Sequence, residues 1–353
     1  MSPALLSVLL DTERLKYPYT GLYHFCLELG NALMHEKSVT DQLSFFLPAS
    51  MEGIFGKDAR YIKQSPLHKY RLPNTDSYQV WHSLHQGSDY FPFRRQLPVV
   101  LTIHDLNFLH QPSKGAAQVK KELAQLQQKI NRAQHVVTIS SFVLHELQHQ
   151  LNLASVPTSV IYNGCNFSTS SPQLPKLIPG GPFLFAIGTV AAKKNFHVLP
   201  ALLKGNENWL VIAGITHEEA YVQKIKQAAI SWGVEDRLIF TGAVTEAEKQ
   251  WYYQQCLAFV FPSLAEGFGM PVLEAMFFGK PVFLSTYTSL PEIGGSLAYY
   301  FTSFDAEDMQ RVLADGLQHF SQASPQAALQ THAQSFSWGA AAKKYLDIYR
   351  QLA

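Results

Sequence analysis

The sequence predicts an α/β protein made of two doubly wound, Rossmann-like domains with an interdomain cleft. Its 353 residues exceed the about 100 to 200 that usually share one core. Short runs of β-branched and aromatic residues alternate with amphipathic segments, the pattern of βαβ units around a parallel sheet. A stretch with little of either period interrupts that alternation midway, after which it starts again.

In the first half the pairs are LLSVLL with YHFCLELGNALM, VVLTI with VKKELAQLQQKINRA, and HVVTIS with SFVLHELQHQL. The interruption is STSSPQLPKLIPGGP, from Ser168 to Pro182, crowded with the Ser, Pro and Gly of a linker. Beyond it FLFAIGT, WLVIAG, RLIFTG, AFVFPS and PVFLS read as five strands, most followed by helical spacing. Domains are accordingly expected over 1–175 and 181–335, with a last helix in FSWGAAAKKYLDIYRQLA over 336–353.

A content of 47% hydrophobic and 16% charged residues suits large cores and excludes a disordered chain. Residues 1–178 hold 16 basic against 12 acidic side chains, and 179–353 hold 12 against 15. The resulting +4 and −3 are too weak a contrast for a nucleic-acid partner. Cys26, Cys165 and Cys256 lie far apart in no CxxC spacing, so a reducing, cytoplasmic setting is expected rather than a disulfide framework or a thiolate metal knuckle. The apolar run Ala4 to Leu10 has no basic residue before it and meets Asp11, Glu13 and Arg14 at once, which suits a first buried strand better than a signal peptide. No stretch reaches the ~18 apolar residues of a membrane span, so membrane contact is expected to be peripheral.

The stretch richest in chemistry is FVFPSLAEGFGMPVLEAMFFGKPVF, residues 259–283. A strand leads into a loop carrying Glu266, Gly267, Phe268 and Gly269, and Pro271 beside Met270 marks a helix start. Unpaired N–H groups and the positive end of the dipole can hold a phosphate there without a metal. Glu274 is expected in the first turn, placed to accept hydrogen bonds from sugar or ribose hydroxyls, with Glu266 aimed at another part of the ligand. The same residues also fit an ordinary turn and a helix-stabilising acid. In AIGTVAAKKNFHVL, residues 186–199, Lys193 and Lys194 stand where a ligand sits at a topological switch point, able to neutralise a diphosphate, or are solvated loop lysines. Neither GxGxxG after a strand nor GxxxxGK[ST] occurs, which excludes the usual dinucleotide oxidoreductase and P-loop fingerprints.

Within VVLTIHDLNFLHQP, His104 and Asp105 directly follow a strand. The histidine can donate to a sugar hydroxyl or act near neutral pH, while Asp105 caps the next turn or orients His104. His145 to His149 matches HExxH. A third ligand is lacking, because no HxxGxxH follows and the next Glu after Glu146 is Glu207, so a chance match on a polar helix face is the better account than a zinc protease. YFPFRR (Tyr90 to Arg95) and the cations Lys120, Lys121, Lys129 and Arg132 suit either an anionic lipid or glycolipid surface or an ordinary solvated one.

In order and spacing, TGLYHF, TIHDLNFLHQP, VVTISSF, VIYNGCN, IGTVAAKKN, FTGAV, EGFGMPVLE, TSLPEIGG and the FSW helix resemble glycosyltransferase family 4, of the two-domain GT-B architecture, through most of the chain. The resemblance implies retaining transfer of a hexose from a nucleotide-sugar, held by the C-terminal domain, to a hydroxyl of a saccharide or lipid-linked saccharide held by the N-terminal domain. It implies no metal and no cofactor, and a last helix that crosses back to the N-terminal domain.

Carried over by position, Lys194 would hold the donor diphosphate, beside Lys193 where arginine is frequent. Glu274 would take the ribose hydroxyls. Glu266 and the backbone of Gly267, Phe268, Gly269 and Met270 would hold the transferred sugar and the phosphates, and His104 would contact that sugar. His104, Lys194 and Glu266 are thus the catalytic candidates. Gly188 and Thr189 end the first strand of the donor domain, with Thr189 where many members have arginine, and Val244 falls in the base-recognition region. Gly21 matches a loop that closes near the phosphates, although Tyr23 and His24 replace its usual glycine and arginine. The IGTVAAKKN and FSW segments are similar to bacterial polysaccharide mannosyltransferases, which implies GDP-mannose and lipopolysaccharide, O-antigen or capsule synthesis at the cytoplasmic face of the inner membrane. A non-catalytic nucleotide-sugar-binding subunit is the alternative; retention of Lys194, Glu266, Glu274 and His104 together argues against it.

Overall fold

A computed structural model describes residues 5–18, 20–94, 96–110, 114–165, 171–216 and 218–353. Ala4, Arg95, Gln111, Pro112, Asn166 and residues 168–170 of the motifs above lie outside them. Two compact units emerge, Met1–Asn166 with Phe336–Ala353, and Phe167–Ser335.

The first unit runs β1 (Ser7–Asp11), α1 (Gly21–Glu36), β2 (Gln42–Leu47), β3 (Arg60–Lys63), β4 (Val80–Ser83), β5 (Val99–Ile103), α2 (Ala116–Arg132), β6 (His135–Thr138), α3 (Ser141–Gln150) and β7 (Thr158–Val160). Its seven strands are all parallel, in the order β3-β2-β1-β4-β5-β6-β7. Helices cover both faces of such a sheet, which is why its central strands are wholly buried and mostly apolar, with Ser7, Asp11, His82, Ser83 and Thr102 buried among them. β3 and β7 escape a reading by periodicity because they are only four and three residues long.

The second unit contains β8 (Phe183–Ile187), β9 (Trp209–Ala213), α4 (Glu219–Trp232), β10 (Leu238–Gly242), α5 (Glu246–Gln255), β11 (Ala258–Phe261), α6 (Met270–Phe277), β12 (Val282–Ser285), α7 (Leu290–Gly294), β13 (Tyr299–Phe301), α8 (Ala306–Ala323) and α9 (Gln326–Gln334). Its strand order is β10-β9-β8-β11-β12-β13, again fully parallel. β13 is a sixth strand beyond the five read from sequence, a three-residue edge strand. The described part of the Ser/Pro/Gly stretch is not a free linker. Gln173 donates its backbone N–H to Ala247 O at 3.1 Å, and the Tyr252 hydroxyl donates to Leu177 O at 2.6 Å.

The chain ends in α10 (Trp338–Leu352), capped by Ser337, which packs on α1 within the first unit. Alternation along β4 and β5 sends Trp81, Leu101 and Ile103 into the apolar core shared with α2 and α3. The other parity puts His82 and Thr102 against α10. His82 meets Tyr349 Oη through Nδ1 at 2.5 Å and Thr102 Oγ1 through Nε2 at 2.8 Å, and Tyr345 Oη lies 3.0 Å from Thr102 Oγ1. Burial pushes the His82 imidazolium down to about 3, so the ring is neutral and each nitrogen has a partner, as a buried polar group requires.

At the carboxyl end of β1, burial raises the Asp11 carboxyl to about 7, against the lowering effect of its hydrogen bond from Ser88. A raised acid is held protonated in the native state, so its stabilising contribution is full below the unfolded value of 3.8 and is lost as pH rises through about 7. Asp11→Asn should therefore flatten the fall in melting temperature between pH 5 and pH 8 and gain about 2 to 4 kcal/mol at pH 8. A variant no more stable than wild type at pH 8 would contradict this.

Candidate active site

In the second unit β8 and β11 are neighbours, yet the chain leaves β8 for β9 on one side and β11 for β12 on the other. The loops after the two strands therefore meet at a topological switch point on the carboxyl edge, the position where doubly wound sheets bind ligands. Lys194 enters it from the first loop and Glu266 from the second. Lys194 Nζ lies 2.5 Å from Glu266 Oε1, and the two side chains are only 11% and 13% exposed. Ser263 Oγ donates to the same carboxylate oxygen at 2.5 Å, while the ammonium lies 4.7 Å from the centre of the Phe261 ring. Burial pulls the Lys194 ammonium below its ordinary value, and the Glu266 charge opposes that pull.

Local backbone explains how the lysine gets there. Gly188 takes φ +146°, and a Cβ on it would lie 3.1 Å from Lys194 Cε. Thr189 is half-buried next to it. Lys193 joins the two loops through its carbonyl, which accepts from Leu264 N at 2.8 Å and Ser263 Oγ at 3.2 Å.

The Glu266 loop is fixed from the side by hydroxyls that follow β12. Thr288 Oγ1 accepts from Glu266 N at 3.0 Å, Ser289 Oγ donates to Glu266 O at 3.0 Å and to Phe268 O at 2.8 Å, and Ser285 Oγ donates to Ser263 O. Gly267 and Phe268 lie inside this stitched loop. Gly269 then caps α6 at φ +114°, where a Cβ would be strained and 3.0 Å from Leu290 Cδ2. Met270 opens the helix with Pro271 beside it.

Glu274 is the fifth residue of α6, so it stands in the second turn rather than the first. Its distance from the helix start removes the expected dipole role, which fades beyond the first turn. Instead its carboxylate meets α5: Lys249 Nζ is 2.8 Å from Oε1, and Tyr253 Oη donates to Oε2 at 2.7 Å. Val244, half-buried, immediately precedes Thr245, whose capping box with Glu248 begins α5.

His104 and Gly21 belong to the first unit. His104 is 4% exposed, packs edge-on against Phe25 at 4.4 Å, and has Nε2 2.8 Å from Leu84 O. A carbonyl can only accept, so Nε2 carries the proton and Nδ1 is left as an acceptor. Burial lowers the imidazolium to about 4, which corrects the expectation that His104 acts near neutral pH. Asp105 Oδ1 accepts from Asn107 N at 3.0 Å and so caps the next turn. Gly21 is the first residue of α1, and the N–H of Tyr23 is already taken by the Thr20 hydroxyl at 3.2 Å.

His145 and His149 face each other on α3 with Nε2 atoms 3.0 Å apart, and among the described residues no group of three or more His, Cys, Asp or Glu could hold a metal. Of YFPFRR, Tyr90 and Phe91 are buried while Phe93 is exposed. Lys129 and Arg132 are spent on main-chain carbonyls, Lys129 on Gln86 and Ser88 and Arg132 on Leu97, so they are not a solvated basic face.

Profiles of known families match both units in turn. The family described as Glycosyltransferase Family 4 matches residues 48–169, and that described as Glycosyl transferases group 1 matches residues 172–319, across the Lys194 and Glu266 loops. The chain belongs to the GT-B glycosyltransferases. This glycosyltransferase is 24% identical over 398 aligned residues to the O-antigen chain mannosyltransferase B of Escherichia coli, covering 98% of this chain and all of that one. It is 26% identical to the O-antigen chain mannosyltransferase RfbU of Salmonella typhimurium over 60% of its own length and 59% of the relative's. Among solved structures it superposes on sucrose-phosphate synthase from Thermosynechococcus elongatus with a TM-score of 0.76 at 19% identity, covering 98% of this chain and 99% of that one. On the Anabaena protein HepE in complex with UDP and glucose the TM-score is 0.72 at 15% identity, covering 97% and 99%.

Ser263, Thr288, Ser289, Lys249 and Tyr253 surround the glycosyltransferase's candidate site without having been singled out individually in the sequence. Thr288 and Ser289 fall in the TSLPEIGG motif, while Lys249 and Tyr253 carried only their four-residue spacing on one helix face.

Imidazole nitrogen NMR should show His104 as the Nε2-protonated tautomer, neutral down to about pH 4. Because its folded value is depressed, the stability it contributes is present above the unfolded value of 6.5 and is lost as pH falls through about 4. A His104 resonance titrating above pH 6 would contradict both statements.

Proposed function

We propose that the glycosyltransferase moves mannose from GDP-mannose to a hydroxyl of a saccharide or lipid-linked saccharide in O-antigen or lipopolysaccharide synthesis, with retention of anomeric configuration and without a metal. The observation that carries the chemistry is the buried Lys194–Glu266–Ser263 cluster at the switch point, in the same loop system as the α6 N-terminus. The choice of sugar is supported by the mannosyltransferase names of relatives.

As the sugar C1–O bond to the diphosphate breaks, negative charge grows on the departing phosphate. Lys194 and the N–H groups near Met270 meet that charge, which is the work a divalent cation would otherwise do. The acceptor hydroxyl attacks C1 on the face the phosphate leaves, and its proton passes to the departing phosphate oxygen. Glu266 holds the transferred sugar, its carboxylate already oriented by Ser263. The two glutamates serve different parts of the donor, so the separation rule for glycosidase carboxylates does not apply to them. In the first unit, His104 offers Nδ1 as an acceptor for a sugar hydroxyl.

Release of GDP from GDP-mannose should persist in excess chelator, and other nucleotide-sugars should release less. Loss of activity with chelator and its return with a divalent ion would overturn the metal-free reading. Lys194→Ala should lower kcat by on the order of 10²-fold or more. Calorimetry should find GDP affinity weakened in Glu274→Ala and spared in Glu266→Ala; equal losses would refute the division of roles.

Peripheral contact with the membrane belongs to the same reading. Among the described residues no helix is long and apolar enough to cross a membrane. Exposed Tyr17, Leu67, Tyr70 and Phe93 give the first unit apolar side chains suited to a lipid interface, while Lys16 and Lys69 beside them are paired to Glu13 and Asp89. Flotation with anionic vesicles should fall when Tyr70 and Phe93 are changed to Ser, and unchanged flotation would remove the idea.

A further inference from the structure

We propose that Lys249 and Tyr253 are positioning residues for nucleotide recognition, holding the Glu274 carboxylate from α5 so that the Lys249–Glu274 pair selects a ribose over a sugar lacking its 2′ and 3′ hydroxyls. The inference rests on the reading of Glu274 as the ribose acceptor and extends it to the residues that set its aim.

Lys249 and Tyr253 are four residues apart on α5 and therefore share one face of that helix. Each takes a different oxygen of Glu274, Lys249 at 2.8 Å and Tyr253 at 2.7 Å, so the carboxylate plane is held at two points. The Tyr253 arm is rigid. Its ring is fully buried, edge-on to Phe185 at 5.0 Å and stacked on Phe278 at 5.9 Å, and its hydroxyl also reaches Pro271 O at 3.3 Å.

The Lys249 arm carries charge. Its Nζ also meets Glu246 Oε2 at 2.8 Å. Burial works against the ammonium, but the Glu274 and Glu246 carboxylates outweigh it and raise Lys249 above its ordinary value, so it stays a cation.

A carboxylate offers about four lone-pair sites and an ammonium three donors. Glu274 thus keeps acceptor capacity for hydroxyl protons after its two helix contacts, and Lys249 keeps a donor for a hydroxyl oxygen. A vicinal diol can satisfy both at once, giving its protons to Glu274 and accepting from Lys249. A nucleotide without the diol leaves polar groups unpaired in a desolvated site, and such a mismatch is what discriminates most strongly. The same helix begins directly after Val244, so α5 joins the base-recognition region to the ribose clamp through one rigid element.

Calorimetry with GDP and 2′,3′-dideoxy-GDP, on wild type, Lys249→Met, Tyr253→Phe and Lys249→Arg, tests the proposal. Wild type should prefer GDP by on the order of 10²-fold. Lys249→Met should shrink that preference about 10-fold and Tyr253→Phe several-fold, while Lys249→Arg, which keeps the charge, should restore part of it. In kinetics the Met and Phe variants should raise KM for the donor more than they lower kcat. If a variant weakens GDP and the dideoxy analogue equally and leaves their ratio at the wild-type value, the role is merely structural and this proposal is overturned while the ribose reading stands. If wild type itself fails to bind GDP or to discriminate, the donor reading falls and the proposal with it.

Discussion

Lys194 holds a positive charge in a place where water has been largely removed, and the surrounding architecture is organised around that cost. An ammonium leaves water only at a penalty of several kcal/mol, and removing one partner of a buried pair typically costs about 3 to 5 kcal/mol because the other charge is stranded. Glu266 supplies the countercharge, Ser263 satisfies the carboxylate further, and the Phe261 ring gives the cation a favourable face. Retaining such a pair is poor design for stability alone, since well-packed apolar residues would serve as well. It makes sense where a cation is needed against a charge that appears only during reaction, because a group already fixed in a dry site needs no reorganisation at that moment.

That requirement explains the density of small hydroxyl residues nearby. Ser285, Thr288 and Ser289 spend their side chains on the Ser263–Phe268 main chain, replacing hydrogen bonds that a loop of this shape cannot make to itself. Glu274 is treated differently. It is reached from α5 rather than from a loop, and its helix places it one turn beyond the α6 start, so the two acids of EGFGMPVLE sit in separate electrostatic surroundings although only seven residues lie between them.

The first unit uses buried polar groups for another purpose. His82, Thr102, Tyr345 and Tyr349 form a closed network under α10, in which every neutral group has a partner, and it fixes the terminal helix in register on the sheet. His104, one strand away, is neutral for the same reason, burial, but it keeps one nitrogen as an acceptor.

The sequence by itself determined the class of the fold and many of its elements, though not β2 or α8. Strands such as VVLTI and FLFAI are dominated by apolar residues because both faces of a parallel sheet are covered, and helices such as VKKELAQLQQKINRA show a 3.6-residue stripe, so local chemistry was enough. It also singled out Lys194, Glu266 and His104, since each lies in a recognisable loop after a strand, and Glu274, which lies inside the helix that such a loop leads into. Short strands such as β7 and β13 were illegible, because three residues carry no period. Only the tertiary structure decided that Lys194 and Glu266, 72 residues apart, form one ion pair, that Lys249 and Tyr253 hold Glu274, that Lys129 and Arg132 serve main-chain carbonyls, and that His104 is too buried to charge near neutral pH. The reason is physical: partner choice and desolvation depend on which groups the packed chain brings together, and neither is encoded in any local stretch of residues.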